Sequence, residues 1–270
     1  MNKAKFMSFA CSMFFVGGLF LAAFYFELAA YGAAAYLPGA CGCMTAGVRL
    51  DPKIENPIRR QSQEPGFVAL TFDDGPSEYT VQLLDALSNR AVALTFFTTG
   101  TEVNAYPHIA NRIVQEGHEI ACHAYSHSYL TELTADEIRA ELANSRDAIY
   151  TATGVFPALH RPPYSSYDSL VRSIAEEFGM PLILWNVDTI DWRDRDVELI
   201  LSRIINFRGY SMVQSGDIIL MHDTLPTTVD AALIIIDKLQ EQGFQFVTVS
   251  QLFEKKEIEL IPGAVYGCAR

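Results

Sequence analysis

The feature that most constrains this chain begins at Gly66: short apolar runs alternate with helically spaced segments through the rest of the sequence. The runs are 68–72, 92–97, 119–122, 158–160, 182–187, 218–221 and 246–249. Strands of a parallel sheet are buried on both faces, so they read as nearly continuous apolar stretches, as most of these do. Between them, 80–88 places Val81, Leu84 and Leu87 on one helical face. Segment 135–151 does the same with Ile138, Leu142 and Ile149, and Thr134 with Glu137 three later predicts a capping box. Segments 197–207 and 229–240 follow the same period. Seven strands alternating with helices predict parallel βα units, an α/β fold. With 270 residues, half of them hydrophobic, the chain can fill one barrel-sized core, and no internal repeat competes with that reading.

The polar residues of interest cluster at the ends of these runs. Asp73 and Asp74 follow the first, His123 the third and Arg161 the fourth. Asp188 and Asp191 follow the fifth, and His222 the sixth. In a β/α barrel those ends meet at one mouth, where reactive groups collect. A lone histidine is usually an ordinary core or surface residue, but His123 and His127 are four apart, and a shared helical turn would bring them to one side. With Asp74 they form a two-histidine, one-carboxylate set that leaves a coordination position open, as catalytic zinc requires. Asp73 beside Asp74 suits a general base, with Arg161 holding it ionised. Asp73-Asp74-Gly75-Pro76 reads equally well as a plain turn. His222 suits a general acid oriented by Asp191, with Trp192 as an apolar wall, or it simply closes its strand. In Arg161-Pro162-Pro163-Tyr164 the prolines fix the approach of Tyr164, whose backbone N–H is a candidate oxyanion donor; a polyproline-like loop is the alternative.

The first forty residues differ. Lys3 and Lys5 precede an apolar run over 6–26, and after Glu27 apolar residues resume over 28–37. About twenty residues suffice to cross a bilayer, and the preceding charge predicts an extracytoplasmic remainder. The length favours a signal anchor, a transmembrane helix; small residues around 29–35 also allow a cleaved signal peptide and secretion. Residues 41–65, with Gly42, Gly47, Pro52, Pro57 and Pro65, read as a linker. Cys268 is a candidate disulfide partner for Cys41 or Cys43, while Cys122, within an apolar run, reads as a core residue. The net charge of −12 argues against nucleic acid.

Taken in order, these segments resemble the polysaccharide deacetylase family, also called NodB-homology or family 4 carbohydrate esterases. Its five motifs, TFDDGP, H[ST]xxH, RxPY, DxxDW and LxH, read here as Thr71 to Pro76, His123 to His127, Arg161 to Tyr164, Asp188 to Trp192 and Leu220 to His222. The resemblance covers roughly 66–253. It implies a distorted (β/α)7 barrel over 66–255, with 256–270 as a tail. It further implies Asp73 as base, Asp74, His123 and His127 as metal ligands, and Arg161 as the residue steadying the base. Tyr164 becomes the oxyanion donor, Asp191 the residue tuning the acid, His222 the acid, and Trp192 and Leu220 groove walls. The implied cofactor is a divalent metal, commonly zinc, with cobalt or manganese as alternatives. The implied substrate is an acetylated glycan polymer. A wall-facing location points to peptidoglycan, N-acetylglucosamine before N-acetylmuramic acid; chitin oligomers and O-acetyl xylan are alternatives, and a glycan- or metal-binding module without turnover is a third. Two positions depart from the pattern: Ala124 stands where Ser or Thr is usual, and Ser165 where Gly is frequent.

Overall fold

The computed structural model describes residues 66–206 and 208–270. The anchor and linker expected over 1–65, and the disulfide partners Cys41 and Cys43, lie outside the described residues. Among the described residues no helix is long and apolar enough to cross a membrane.

Strand β1 (Gly66–Asp73) lies at the centre of the sheet. It pairs in parallel with β2 (Thr95–Thr98) on one side and β6 (Ile218–His222) on the other. The path continues through β3 (Glu119–Cys122) beyond β2 and β5 (Val187–Asp188) beyond β6. β7 (Phe244–Phe246) pairs with the first residues of β1. β4 (Leu182–Ile183) pairs with β8 (Val265–Tyr266) in a second, two-stranded ladder. Every ladder is parallel, as the apolar runs predict. The fourth run shrinks to His160, which bridges Cys122 on one side and Leu182 on the other. Pro157, Pro162 and Pro163 crowd that run and remove the N–H donors a longer strand needs. The fifth run divides into β4 and β5. β8 lies within 256–270, the stretch read as a tail. Among the described residues no ladder joins β5 to β4 or β8.

Helices pack over this sheet. They are α1 (Glu78–Leu87), α2 (Gly100–Ala105), α3 (Pro107–Gln115), α4 (Ala135–Thr153), α5 (Ser169–Glu177), α6 (Asp191–Asp194), α7 (Val197–Ser202), α8 (Pro226–Glu241) and α9 (Val249–Lys255). The Thr134–Glu137 capping box opens α4 as expected, and Gly154, at φ 73°, closes it in the left-handed conformation that glycine tolerates. Val68, Leu70 and Phe72 of β1 point into one core with Leu83 and Leu84 of α1 and Ile235 and Ile236 of α8, all without solvent exposure. Phe72 stacks on Phe96 at 5.4 Å. Truncating such a residue to alanine typically costs about 3–5 kcal/mol. That rigid layer carries Asp73 at the end of β1, in register with His222 at the end of β6.

Candidate active site

Six strand ends and their loops open onto one cleft of about 410 Å³, lined by Asp73, Asp74, His123, His127, Tyr164, Trp192, Leu220 and His222 among others. All ten residues picked from the sequence fall in it or directly beneath it.

Arg161 is the base of the site. Its side chain has no exposure, and its guanidinium lies 3.9 Å from the Phe97 ring centroid and 5.5 Å from that of Trp185. Nε donates to the Ile183 carbonyl at 2.9 Å and Nη2 to the Leu184 carbonyl at 3.0 Å. Nη1 donates to Thr71 Oγ1 at 2.8 Å and to Asp73 Oδ1 at 2.6 Å. A buried guanidinium with all its neighbours in place pairs with Asp73 and fixes its direction. Asp73 Oδ2 remains on the cleft side, 3.8 Å from His123 Nε2.

Asp74, His123 and His127 present ligand atoms within 4.8 Å of one another. Asp74 Oδ1 lies 3.3 Å from His123 Nε2 and 3.0 Å from His127 Nε2. That oxygen is buried and has no hydrogen-bond partner among the described residues. His123 Nδ1 is 2.7 Å from the Arg161 carbonyl, which can only accept, so the proton of the neutral ring sits on Nδ1. Its Nε2 lone pair then faces an unpartnered carboxylate oxygen. Converging lone pairs repel unless a cation lies between them, so the residues fit a divalent metal. Two imidazoles with one carboxylate are a donor set for a first-row divalent ion.

The two histidines are not on a helical turn. The chain from His123 to His127 is a loop bent by left-handed residues at Ala124, φ 61°, and His127, φ 60°. Glu141 of α4 holds it, accepting from the N–H groups of Tyr125 at 2.9 Å and Ser126 at 2.8 Å and from the Ser126 hydroxyl at 2.7 Å. Ala124 is fully buried, and the ordering that a hydroxyl there would add comes from Glu141 instead. Of the eight non-glycine residues with positive φ among the described residues, six lie in the loops that carry the site: Asp74, Ala124, His127, Tyr164, Ser165 and Ile190. Each such residue costs about 1–2 kcal/mol, a strain that accumulates where geometry matters.

The opposite wall is built on His222. His222 Nδ1 lies 2.9 Å from Asp191 Oδ1, and the His222 backbone N–H donates to Asp191 Oδ2 at 2.8 Å. Thr228 and Thr189 hydroxyls complete the carboxylate at 2.7 Å and 3.1 Å. Burial would lower the His222 pKa; the hydrogen bond and charge of Asp191, helped by Asp73 and Asp74, raise it to about 9. Burial likewise works against the Asp191 anion, and the bonds from His222 and Thr228 overcome it and lower its pKa. The imidazolium therefore stands ready with Nε2 as its free donor.

Tyr164 lines the cleft with its N–H making no hydrogen bond among the described residues. Trp192 is half exposed at the rim, while Leu220 is buried in the wall. Sequence reasoning missed Thr71, Thr228 and Glu141, because a single threonine or glutamate carries no spacing signal. It also missed Asp223, although His222-Asp223 adjoin. Asp223 is fully buried beneath Gly75, and burial pushes its carboxyl up to about 7. A Cβ on Gly75 would sit 2.4 Å from Asp223 Oδ1, so only glycine fits after the paired aspartates.

Known proteins share this fold. The polysaccharide deacetylase profile matches residues 60–183. The peptidoglycan-N-acetylmuramic acid deacetylase PdaC of Bacillus subtilis is 41% identical over 70% of this chain and 39% of its own length. A solved structure of PdaC aligns with a TM-score of 0.67 at 40% identity, over 72% of this chain and 92% of that one. This chain thus matches about two fifths of that curated relative's length. A peptidoglycan-N-acetylglucosamine deacetylase of Bacillus cereus is 36% identical over 69% of this chain and 68% of its own. A pseudoenzyme of carbohydrate esterase family 4 from Bacillus anthracis also aligns, with a TM-score of 0.64 at 33% identity over 70% of this chain and 65% of that one. Relatedness alone therefore does not decide turnover; the residues described above do. Matched in sequence over most of a relative's length, and in fold by solved relatives, this chain belongs to the polysaccharide deacetylase family.

Proposed function

We propose that the protein is a metal-dependent hydrolase that removes N-acetyl groups from peptidoglycan, acting on N-acetylglucosamine and releasing acetate. One observation carries this reading: an orphaned Asp74 oxygen and two imidazole nitrogens converge on one side of a cleft, a clamped Asp73 lies between, and a charged His222 stands opposite. A zinc ion held by Asp74, His123 and His127 would supply Lewis acidity and lower the pKa of water there. Asp73, oriented by Arg161, accepts the proton of the attacking water. The Tyr164 N–H donates to the oxyanion as the carbonyl carbon becomes tetrahedral. His222 gives its proton to the departing nitrogen, which an amide needs because a free amide anion is too basic to leave. Trp192 and Leu220 provide apolar surface for a sugar ring. The ligands, the base and the acid are all present in this chain, which supports turnover over a purely binding role.

The relatives support peptidoglycan and divide between the two amino sugars; those matched over most of their own length include several named for N-acetylglucosamine. The parallel strands, with His160 joining β3 to β4, support a distorted (β/α)7 barrel. We place the domain outside the membrane, held by residues 1–40, on the sequence pattern of that segment.

Acetate release from peptidoglycan tests the assignment, read with zinc, with a chelator and with Asp73→Asn. Chelator-sensitive release that Asp73→Asn lacks is expected, and mass spectrometry of muramidase fragments identifies the sugar. Release from acetylated xylan but not from peptidoglycan would overturn the substrate.

A further inference from the structure

The turn that presents the Tyr164 N–H is held from outside by a brace that the reaction itself does not use. Tyr164 and Ser165 are consecutive left-handed residues, at φ 57° and 54°, and neither is glycine. Such a pair persists only where its surroundings impose it. Below, Arg161 anchors the start of the turn through the bonds already described. Above, three contacts reach it from the segment after His127. The Tyr164 ring lies flat on Tyr129, with centroids 3.8 Å apart and planes 9° from parallel. The Tyr164 hydroxyl lies 3.0 Å from His127 Nδ1. Ser166 Oγ lies 2.6 Å from Thr131 Oγ1. Tyr129 and Thr131 flank Leu130, which is fully buried in one core cluster with Ile138 and Leu142 of α4. Leu130 thus ties the exposed stack to the rigid interior.

We propose that Tyr129 is a positioning residue for the oxyanion donor: its stack on Tyr164 holds residues 164–165 in the left-handed conformation that aims the Tyr164 N–H into the cleft. Tyr129 carries no motif position, is half exposed and is not among the residues lining the cleft. Its one ring partner among the described residues is Tyr164. Ser165 makes the brace necessary, because a side chain there resists the conformation that glycine would adopt freely. The inference rests on the deacetylase reading for the role of the N–H, but the brace itself does not.

The test pairs Tyr129→Ala with Ser165→Gly. Tyr129→Ala should lower kcat for acetate release about 10- to 100-fold with KM nearly unchanged, less than the loss of a whole oxyanion donor. Tyr129→Phe, which keeps the ring, should retain most of kcat. Adding Ser165→Gly to Tyr129→Ala should restore much of the loss, since glycine needs no brace. If Tyr129→Ala raises KM with kcat intact and Ser165→Gly does not rescue it, Tyr129 contacts glycan and the proposal falls. A crystal structure of Tyr129→Ala decides the matter without turnover. The proposal expects φ of Tyr164 or Ser165 to leave the left-handed region, and retention of both overturns it. Should the wild-type protein release no acetate, the assigned function fails while the crystallographic arm still judges the brace.

Discussion

The two walls of the cleft are built on opposite electrostatic terms. On the ligand wall, Asp74, His123 and His127 aim acceptor atoms at one another, and the carboxylate oxygen between them has no donor. They ride on loops bent through left-handed residues, and Glu141 holds the one that carries the two histidines. On the acid wall, His222 and Asp191 satisfy each other, Thr228 and Thr189 complete the carboxylate, and the group sits at the end of a central strand. One wall is finished only by something the chain does not supply; the other is finished by folding. A hydrolase of this kind can thus lose its metal and keep its acid.

The comparison breaks first at Asp74. Asp74→Ala should abolish zinc binding and lower acetate release by about 10³-fold or more, with metal content measured alongside activity. The His222 imidazole, followed by NMR, should still titrate well above an ordinary histidine, because its main charged partner is untouched. If its pKa collapses with the ligand, the walls are not independent.

Asp191→Asn attacks the other wall. Only protonated His222 can donate, so activity should fall as pH rises through about 9. Removing the anion that raises this pKa moves the alkaline limb down toward about 6.5, the ordinary histidine value, with zinc retained. A limb that stays in place would assign it to another group.

Glu141→Ala returns to the ligand wall from a distance. It frees two backbone N–H groups and should weaken zinc binding about 10- to 100-fold, as loss of a residue supporting metal ligands does, with the alkaline limb of the pH profile unmoved. Thr228→Val is the mildest change. It removes one hydrogen bond to Asp191 worth about 1 kcal/mol, so kcat should fall roughly five-fold at neutral pH.

How well the chain could be read follows the same division. Strands buried on both faces announced themselves as apolar runs, and β3 and β6 match their predictions within a residue. The residues at strand ends were equally legible, because a charged or imidazole side chain closing an apolar run has little structural reason to be there. Short or polar elements were not. Helices α2 and α3 follow each other with only Tyr106 between them, and β4 and β8 are two residues each, too short for any period to show. The loop from His123 to His127 has helical spacing and no helix, because the spacing says nothing about the φ of Ala124. Threonines that finish a buried carboxylate look in sequence like threonines anywhere.

One feature of the sheet has a further consequence. Asp73 and His222 are register partners across the β1–β6 ladder. The backbone positions of the proposed base and the proposed acid are thus spaced by the interval between neighbouring strands, about 4.8 Å, a length set by backbone hydrogen bonds rather than by any side chain. A register slip of one residue in either strand would turn that strand's group away from the cleft. The sheet works as a ruler between the two positions. New substrates for such a scaffold must be sought in the loops that choose which sugar brings the amide, since the ruler itself has no adjustable length.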